Sequence, residues 1–335
     1  MSLSLRELML PLDGSALAEQ ALPVAERLAR RAGAVLHLVS VHTPLSPLVL
    51  ASAGAETTRL ADREALQWLR DYLDAKTDAL RGTGGLEVRS ALLEGTPATA
   101  LAQYAGAKEI GLTILTTHGH GGLSRLWLGS VADRLLCEGA RPVLALHPQA
   151  QPQPMEFHRV LVGVDGEPHS QAVLEAGVTL GSSLGVERYT LVQVIQPPFS
   201  SLTGMTGPRR YIGPTWMERR RAEVDQELDR LAEPYRTRGV LVSSLVVVAA
   251  AVAGQLIELA RSTGTDLVAI GTHGARGIER LILGSVADKV VRGASQPVLV
   301  VPVPASSIGD QPGTARALES DAIGAELAGA AARHR

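Results

Sequence analysis

At 335 residues, with 45% apolar and 20% charged residues, the chain has the length of about two domains and the composition of a folded globular protein. A formal net charge of -2, from 32 basic against 34 acidic residues, argues against nucleic acid or an anionic membrane as a partner. The single cysteine, Cys137, excludes an internal disulfide and a multi-cysteine metal site. The N-terminal residues lack the basic segment, apolar core and cleavage site of a secretory signal. The longest apolar run, 240–252, is interrupted by Ser243 and Ser244 and is too short to span a bilayer. A cytoplasmic protein without a membrane or nucleic-acid partner is the expectation.

In chain order, short apolar runs alternate with segments of helical period. Strands are predicted near 6–12, 34–42, 86–93, 111–116 and 142–147, and helices near 16–32, 57–81, 97–107 and 130–138. In the second half, the runs 240–248, 267–270 and 297–303 are apolar at nearly every position, as strands covered by helices on both faces must be. The alternation predicts a doubly wound α/β fold with parallel strands, which binds ligands beyond the carboxyl ends of its strands where the strand order reverses.

A repeat sets the domain count. Residues 117–133, THGHGGLSRLWLGSVAD, recur as 272–288, THGARGIERLILGSVAD; through Pro142-Val143-Leu144 and Pro297-Val298-Leu299 about half the positions are identical at an offset of about 155. More loosely, Met9-Leu10-Pro11-Leu12-Asp13-Gly14 matches Leu161-Val162-Gly163-Val164-Asp165-Gly166. Two homologous domains follow, 1–147 and 157–304, joined by a proline-rich linker at 148–156 and followed by a tail, 305–335. The tail is Ala-rich, and its sparse large apolar residues Leu318, Ile323 and Leu327 are as compatible with disorder as with a docked helix.

The repeated motif carries the chemistry. Its spacing in the second half is Gly271-x2-Gly274-x9-Gly284-Ser285, running from a strand end through a loop to a new helix. Glycine admits positive φ and lets an anion approach the backbone amides, and the first turn of a helix presents amides without intrahelical acceptors. Ser285 adds a hydroxyl, and Asp165 after the first strand is placed to meet a ribose or base edge. The plainer reading is helix capping, with Ser285 and Ser130 as N-caps and Asp288 and Asp133 three residues on. The two readings are compatible. His118 and His273 are secondary phosphate candidates, equally suited to bonding a backbone carbonyl. A metal site at His118 and His120 lacks a third ligand and is not adopted.

Both halves resemble the universal stress protein family, joined in tandem over almost all of 5–304. In that family Gly-x2-Gly-x9-Gly-Ser/Thr marks members able to bind ATP, and Gly271, Gly274, Gly284 and Ser285 satisfy it in full. The resemblance implies Asp13 and Asp165 near the adenosine, Val41 and Val194 against adenine, and Val286 lending an amide to the phosphates. In the first half Gly119, Gly129, Ser130 and Val131 correspond, but Thr116 stands where Gly271 does, a strained choice if that position needs positive φ. In the second half Ala250-Ala251-Val252 replaces the turn Gly95-Thr96-Pro97. The resemblance further implies five-stranded sheets of order 3-2-1-4-5 paired through strand five. The expectation is two independent sheets related by an approximate two-fold, with strand five of each buried against the other, and a homodimer through strand-five surfaces.

The functional expectation is a cytoplasmic ATP-binding stress-response protein, a binding module rather than an enzyme, with Mg2+ bridging the phosphates. The rivals are a slow ATPase or adenylating enzyme, for which the glycine loops supply no lysine, and an interaction scaffold without nucleotide. The long segments 43–56 and 196–215, the latter with Arg209, Arg210 and Tyr211, are candidate covers for the nucleotide or simply solvated loops.

Overall fold

The computed structural model describes residues 3–44, 55–117, 128–138, 140–148, 155–197, 214–272 and 283–303. The first half runs β1 (Glu7–Pro11), α1 (Ala16–Glu19), α2 (Leu22–Ala32), β2 (Val35–His42), α3 (Ala55–Gly82), β3 (Val88–Glu94), α4 (Pro97–Ala107), β4 (Leu112–Thr116), α5 (Ser130–Glu138) and β5 (Val143–Leu146). The second runs β6 (Arg159–Val164), α6 (Ser170–Leu184), β7 (Arg188–Ile195), α7 (Pro214–Arg236), β8 (Leu241–Val248), α8 (Val252–Ser262), β9 (Leu267–Gly271), α9 (Ser285–Gly293) and β10 (Val298–Val301). The predicted helix over 16–32 is two helices, because Pro23 lies at the start of α2 and its ring is incompatible with a carbonyl four residues back. The 305–335 tail, most of the linker, and Arg209, Arg210 and Tyr211 lie outside the described residues.

The strand order is β3-β2-β1-β4-β5-β10-β9-β6-β7-β8. Each half has the expected order 3-2-1-4-5, with parallel pairing throughout. The expectation of two independent sheets is corrected: β5 and β10 hydrogen-bond antiparallel, and the ten strands form one continuous sheet. Leu144 faces Leu299 in that seam, and these two are 155 positions apart, so each is the repeat equivalent of the other and the two-fold passes between them. The seam also closes the expected homodimer route. β5 is flanked by β4 and β10, and β10 by β5 and β9, which leaves neither strand-five edge for a second chain.

Helices cover both faces, and each apolar layer spans both halves. One layer contains Val24 and Leu28 of α2, Leu73 of α3, Leu174 of α6 and Leu228 of α7. The other contains Leu101 of α4, Leu135 of α5, Leu256 of α8 and Val290 of α9. Like helices share a face, so the two-fold is perpendicular to the sheet. Arg27 and Arg31 of α2 reach across it: the Arg27 guanidinium donates to the carbonyls of Met155 and Leu184, at 2.8 and 3.0 Å, and Arg31 donates to Leu184 at 2.8 Å. These carbonyls belong to the entry to β6 and the last turn of α6. The arginines thus satisfy acceptors that the helix end leaves open.

Candidate functional site

β6 and β9 are hydrogen-bonded neighbours, yet the chain leaves β6 toward β7 and returns to β9 from the other side, so the strand order reverses between them. The same reversal lies between β1 and β4. At the carboxyl end of this point in the second half stand Asp165 after β6, Val194 near the end of β7 and Gly271 closing β9. β6 and β7 pair Val164 with Gln193, so Asp165 lies beside Val194 in the ladder's continuation.

Asp165 is held from several directions. Its Oδ2 is 3.2 Å from His169 Nε2, and its Oδ1 accepts from the Glu167 amide and the Ser170 hydroxyl, each at 3.2 Å. Gln193 Nε2 donates to the Asp165 carbonyl at 3.1 Å. Gly166 turns the chain with φ +83, a conformation that favours glycine, and a Cβ there would also crowd Gln193 Nε2 at 3.0 Å. Burial pushes the Asp165 carboxyl up, but the His169 bond and charge with the Glu167 and Ser170 bonds outweigh it and hold the group below the ordinary carboxylate range. A carboxyl depressed on folding stabilises the fold above its unfolded value of 3.8, and this contribution is lost as pH falls through the lower folded value. The stability gap between wild type and Asp165→Asn is therefore expected to close below about pH 4 in denaturant titrations. A gap that stays constant into stronger acid would show that the carboxylate charge is not what the turn uses.

Two buried polar atoms at this turn, His169 Nδ1 and Gln193 Oε1, have no hydrogen-bond partner among the described residues. Such atoms cost free energy unless a further group reaches them.

After β9, the neighbour of β6, α9 begins at Ser285. Its N-cap is Gly284, at φ -54 and ψ 145, which has no side chain of its own to cap the helix. The capping reading of Ser285 is thereby corrected: Ser285 is the first helical residue and is exposed, and Asp288 bonds Arg292 at 2.6 Å rather than folding back on the helix start. The first-turn amides have no intrahelical acceptor. Gly284 donates its own amide to the Thr272 carbonyl at 2.7 Å, which pins the exit of the glycine loop to its entry. Val194 and Val286, both half-buried, pack on the same apolar layer of the sheet, as Val41 and Val131 do in the first half.

Positive φ is not what the Gly271 position demands. Neither Gly271 nor Thr116 has it, so Thr116 is unstrained there. Gly271 instead makes room: a Cβ would lie 3.1 Å from Val303 Cγ2, 3.4 Å from Val173 Cγ2 and 3.7 Å from His169 Cδ2. Ala250-Ala251-Val252 likewise enters α8 without the positive φ of Gly95, with Ala251 as an extended N-cap at φ -114.

The first half brings together a different set. Asp13 is exposed and accepts from the Ser15 amide at 2.9 Å, and buried Ser40 takes the supporting role of Gln193, donating to the Leu12 carbonyl at 2.6 Å. Gly14, at φ +79, lies under Trp68 of α3, whose ring occupies the space a Cβ would need. Trp68 stacks on Tyr72 with centroids 5.5 Å apart, and Tyr72 donates to Glu19 at 3.0 Å. Gly129 and Ser130 open α5 as Gly284 and Ser285 open α9, with the Asp133 amide bonding the Gly129 carbonyl at 2.8 Å. His118, Gly119, His273 and Gly274 lie outside the described residues.

Sequence reasoning missed His169, Ser170, Gln193 and Trp68. His169 stands four residues after Asp165 at the head of a helix, and Gln193 is a polar residue between Val192 and Val194 in the apolar second half of its strand. Both signals were legible. Trp68 had none, because its partner is 54 positions away.

Among the described residues no helix is long and apolar enough to cross a membrane. Compared with known proteins, a universal stress protein of Mycolicibacterium smegmatis is 28% identical over 297 residues, 88% of this chain and 96% of that protein. One from Mycobacterium tuberculosis is 27% identical over 310 residues, 87% and 93% of the two chains. Among solved structures, a universal stress protein of Archaeoglobus fulgidus superposes with a TM-score of 0.66 at 16% identity over 88% of this chain and 98% of that one. A Pseudomonas aeruginosa structure described as a putative universal stress protein gives 0.65 at 15%, over 91% and 95%. The model of the Universal stress protein family matches twice, at 5–147 and 156–302, and the chain belongs to that family, with the family's unit carried in tandem.

Proposed function

We propose that this protein is a nucleotide-binding module that holds ATP, with Mg2+, at the carboxyl end of the parallel strands, first of all in the second half. The observation that carries the reading is the start of α9, where a glycine N-cap with no side chain of its own leaves the first-turn amides without an intrahelical acceptor, at the strand-order reversal whose carboxyl end also carries Asp165 after β6. The amides of Ser285 and Val286 with the Ser285 hydroxyl receive phosphate, Asp165 receives the ribose hydroxyls, and Val194 provides an apolar wall for adenine. The orphaned atoms His169 Nδ1 and Gln193 Oε1 fit a site that a polar ligand completes. The family signature, which marks ATP-binding members, supports the same choice. Mg2+ would balance the triphosphate charge that the glycine loops, with no lysine and only Arg276 and Arg280 in partial compensation in the second half, are too weakly positive to balance alone.

Occupancy changes stability or partner choice; it does not drive turnover. Phosphoryl transfer needs positive charge placed on the transition state and an in-line nucleophile. Amides and one hydroxyl serve ground and transition state alike, and such binding leaves the barrier of the bound reaction where it was. Protein purified without added nucleotide and then denatured is expected to release ATP, and hydrolysis by the pure protein is expected well below about 1 per second. Turnover at or above that rate, abolished by Ser285→Ala, would replace the binding module by an enzyme. Absence of ATP both in the released fraction and in calorimetric titration would leave the interaction scaffold.

A further inference from the structure

The helices that open on the two glycine-serine pairs are tied together across the two-fold. Arg292, in the last turn of α9, places Nε 2.6 Å from Asp288 Oδ1 and Nη2 3.1 Å from Asp133 Oδ1. Asp288 and Asp133 are repeat equivalents, in the first turns of α9 and α5 and three residues beyond Ser285 and Ser130. One guanidinium therefore joins the first turns of both helices. Symmetry would supply a second arginine, but the equivalent of Arg292 is Cys137, which carries no positive charge. The cation that meets Asp133 belongs to the other half. All three side chains are partly buried, at 27% exposure for Arg292, 35% for Asp288 and 41% for Asp133, so the charges are screened less than fully solvated ones.

A carboxylate one turn into a helix opposes an anion at that helix's amides, and a guanidinium in contact with it reduces the opposition. We propose that Arg292 is a positioning and charge-balancing residue for both phosphate sites, its single positive charge shared between Asp288 in its own half and Asp133 in the other so that the repulsion from each is offset in part. The first site is then electrostatically complete only with the second half docked beside it. This inference rests on the nucleotide reading above and adds a residue that the signature does not contain.

The test is calorimetric titration of the full chain with MgATP in two backgrounds, Gly119→Val and Gly274→Val, each leaving one site. Arg292→Gln is expected to weaken ATP binding about threefold to tenfold in both, with the loss shrinking at high salt. Adding Asp133→Asn restores affinity in the Gly274→Val background alone, and adding Asp288→Asn restores it in the Gly119→Val background alone. An arginine that merely holds the halves together would weaken both sites without rescue, which would overturn the proposal. So would unchanged affinity, or no first-site binding in the Gly274→Val background. Asp133→Asn alone covers the case in which Arg292→Gln loosens the fold: it is expected to leave first-site affinity equal or tighter, and a threefold loss would overturn the proposal. If the unmodified chain bound no ATP, the nucleotide reading would fall and this inference with it; binding by the unmodified chain with an indifferent Arg292 would remove only the inference.

Discussion

Gly274→Val is expected to remove ATP binding from the second half, weakening it about a hundredfold or more. The loop that contains this residue leaves β9 at Gly271 and re-enters α9 at Gly284, and its two ends are joined by the bond from the Gly284 amide to the Thr272 carbonyl at 2.7 Å. Entry and exit are thus fixed, and the first-turn amides of α9 are fixed with them. A glycine lets a phosphate approach the backbone, and a branched Cβ at that position would take the place of an oxygen. Calorimetry on the folded variant, with a thermal melt to show that it is folded, checks the outcome, and unchanged affinity at that half would remove the site assignment.

Leu299→Ala is expected to lower stability by about 2–5 kcal/mol, the range for a leucine truncated in a close-packed interior. Leu299 and its partner Leu144 are both at zero exposure, and they face one another in the antiparallel seam between β5 and β10. A cavity there opens where two halves of the core meet, and the surrounding strands are too constrained by the ladder to collapse into it. Leu144→Ala should cost a similar amount, and the double variant should depart from the sum, because the two side chains share one site. Chemical denaturation monitored by circular dichroism measures all three. A cost below about 1 kcal/mol for Leu299→Ala would mean that the seam is loosely packed and that the halves behave as separate units.

Local pattern was enough for much of the architecture. The apolar runs at 7–11, 35–42 and 267–271 need only their neighbours in sequence to read as strands, and the repeat at an offset of 155 needs only self-comparison. The spacing from Gly271 to Ser285 likewise marks a candidate anion site, because its glycines and the following helix are adjacent in the chain.

The α/β class and the doubling, with the candidate phosphate residues as an expectation, were thus readable from the chain alone. The tertiary structure decided how the halves meet. Val-Leu-Ala-Leu at 143–146 and Val-Leu-Val-Val at 298–301 are apolar at every position, so they look the same whether a strand is buried beneath helices at a sheet edge or hydrogen-bonded across a seam. Only edge-to-edge pairing distinguishes the two, and it depends on backbone groups that side-chain pattern does not report. The same holds for the support of each site. Gln193 bonds a carbonyl 28 residues away, Trp68 covers Gly14 from another helix, and Arg292 reaches an aspartate 159 positions earlier. These contacts carry no local period, because they arise from how helices and strands stack after each has formed.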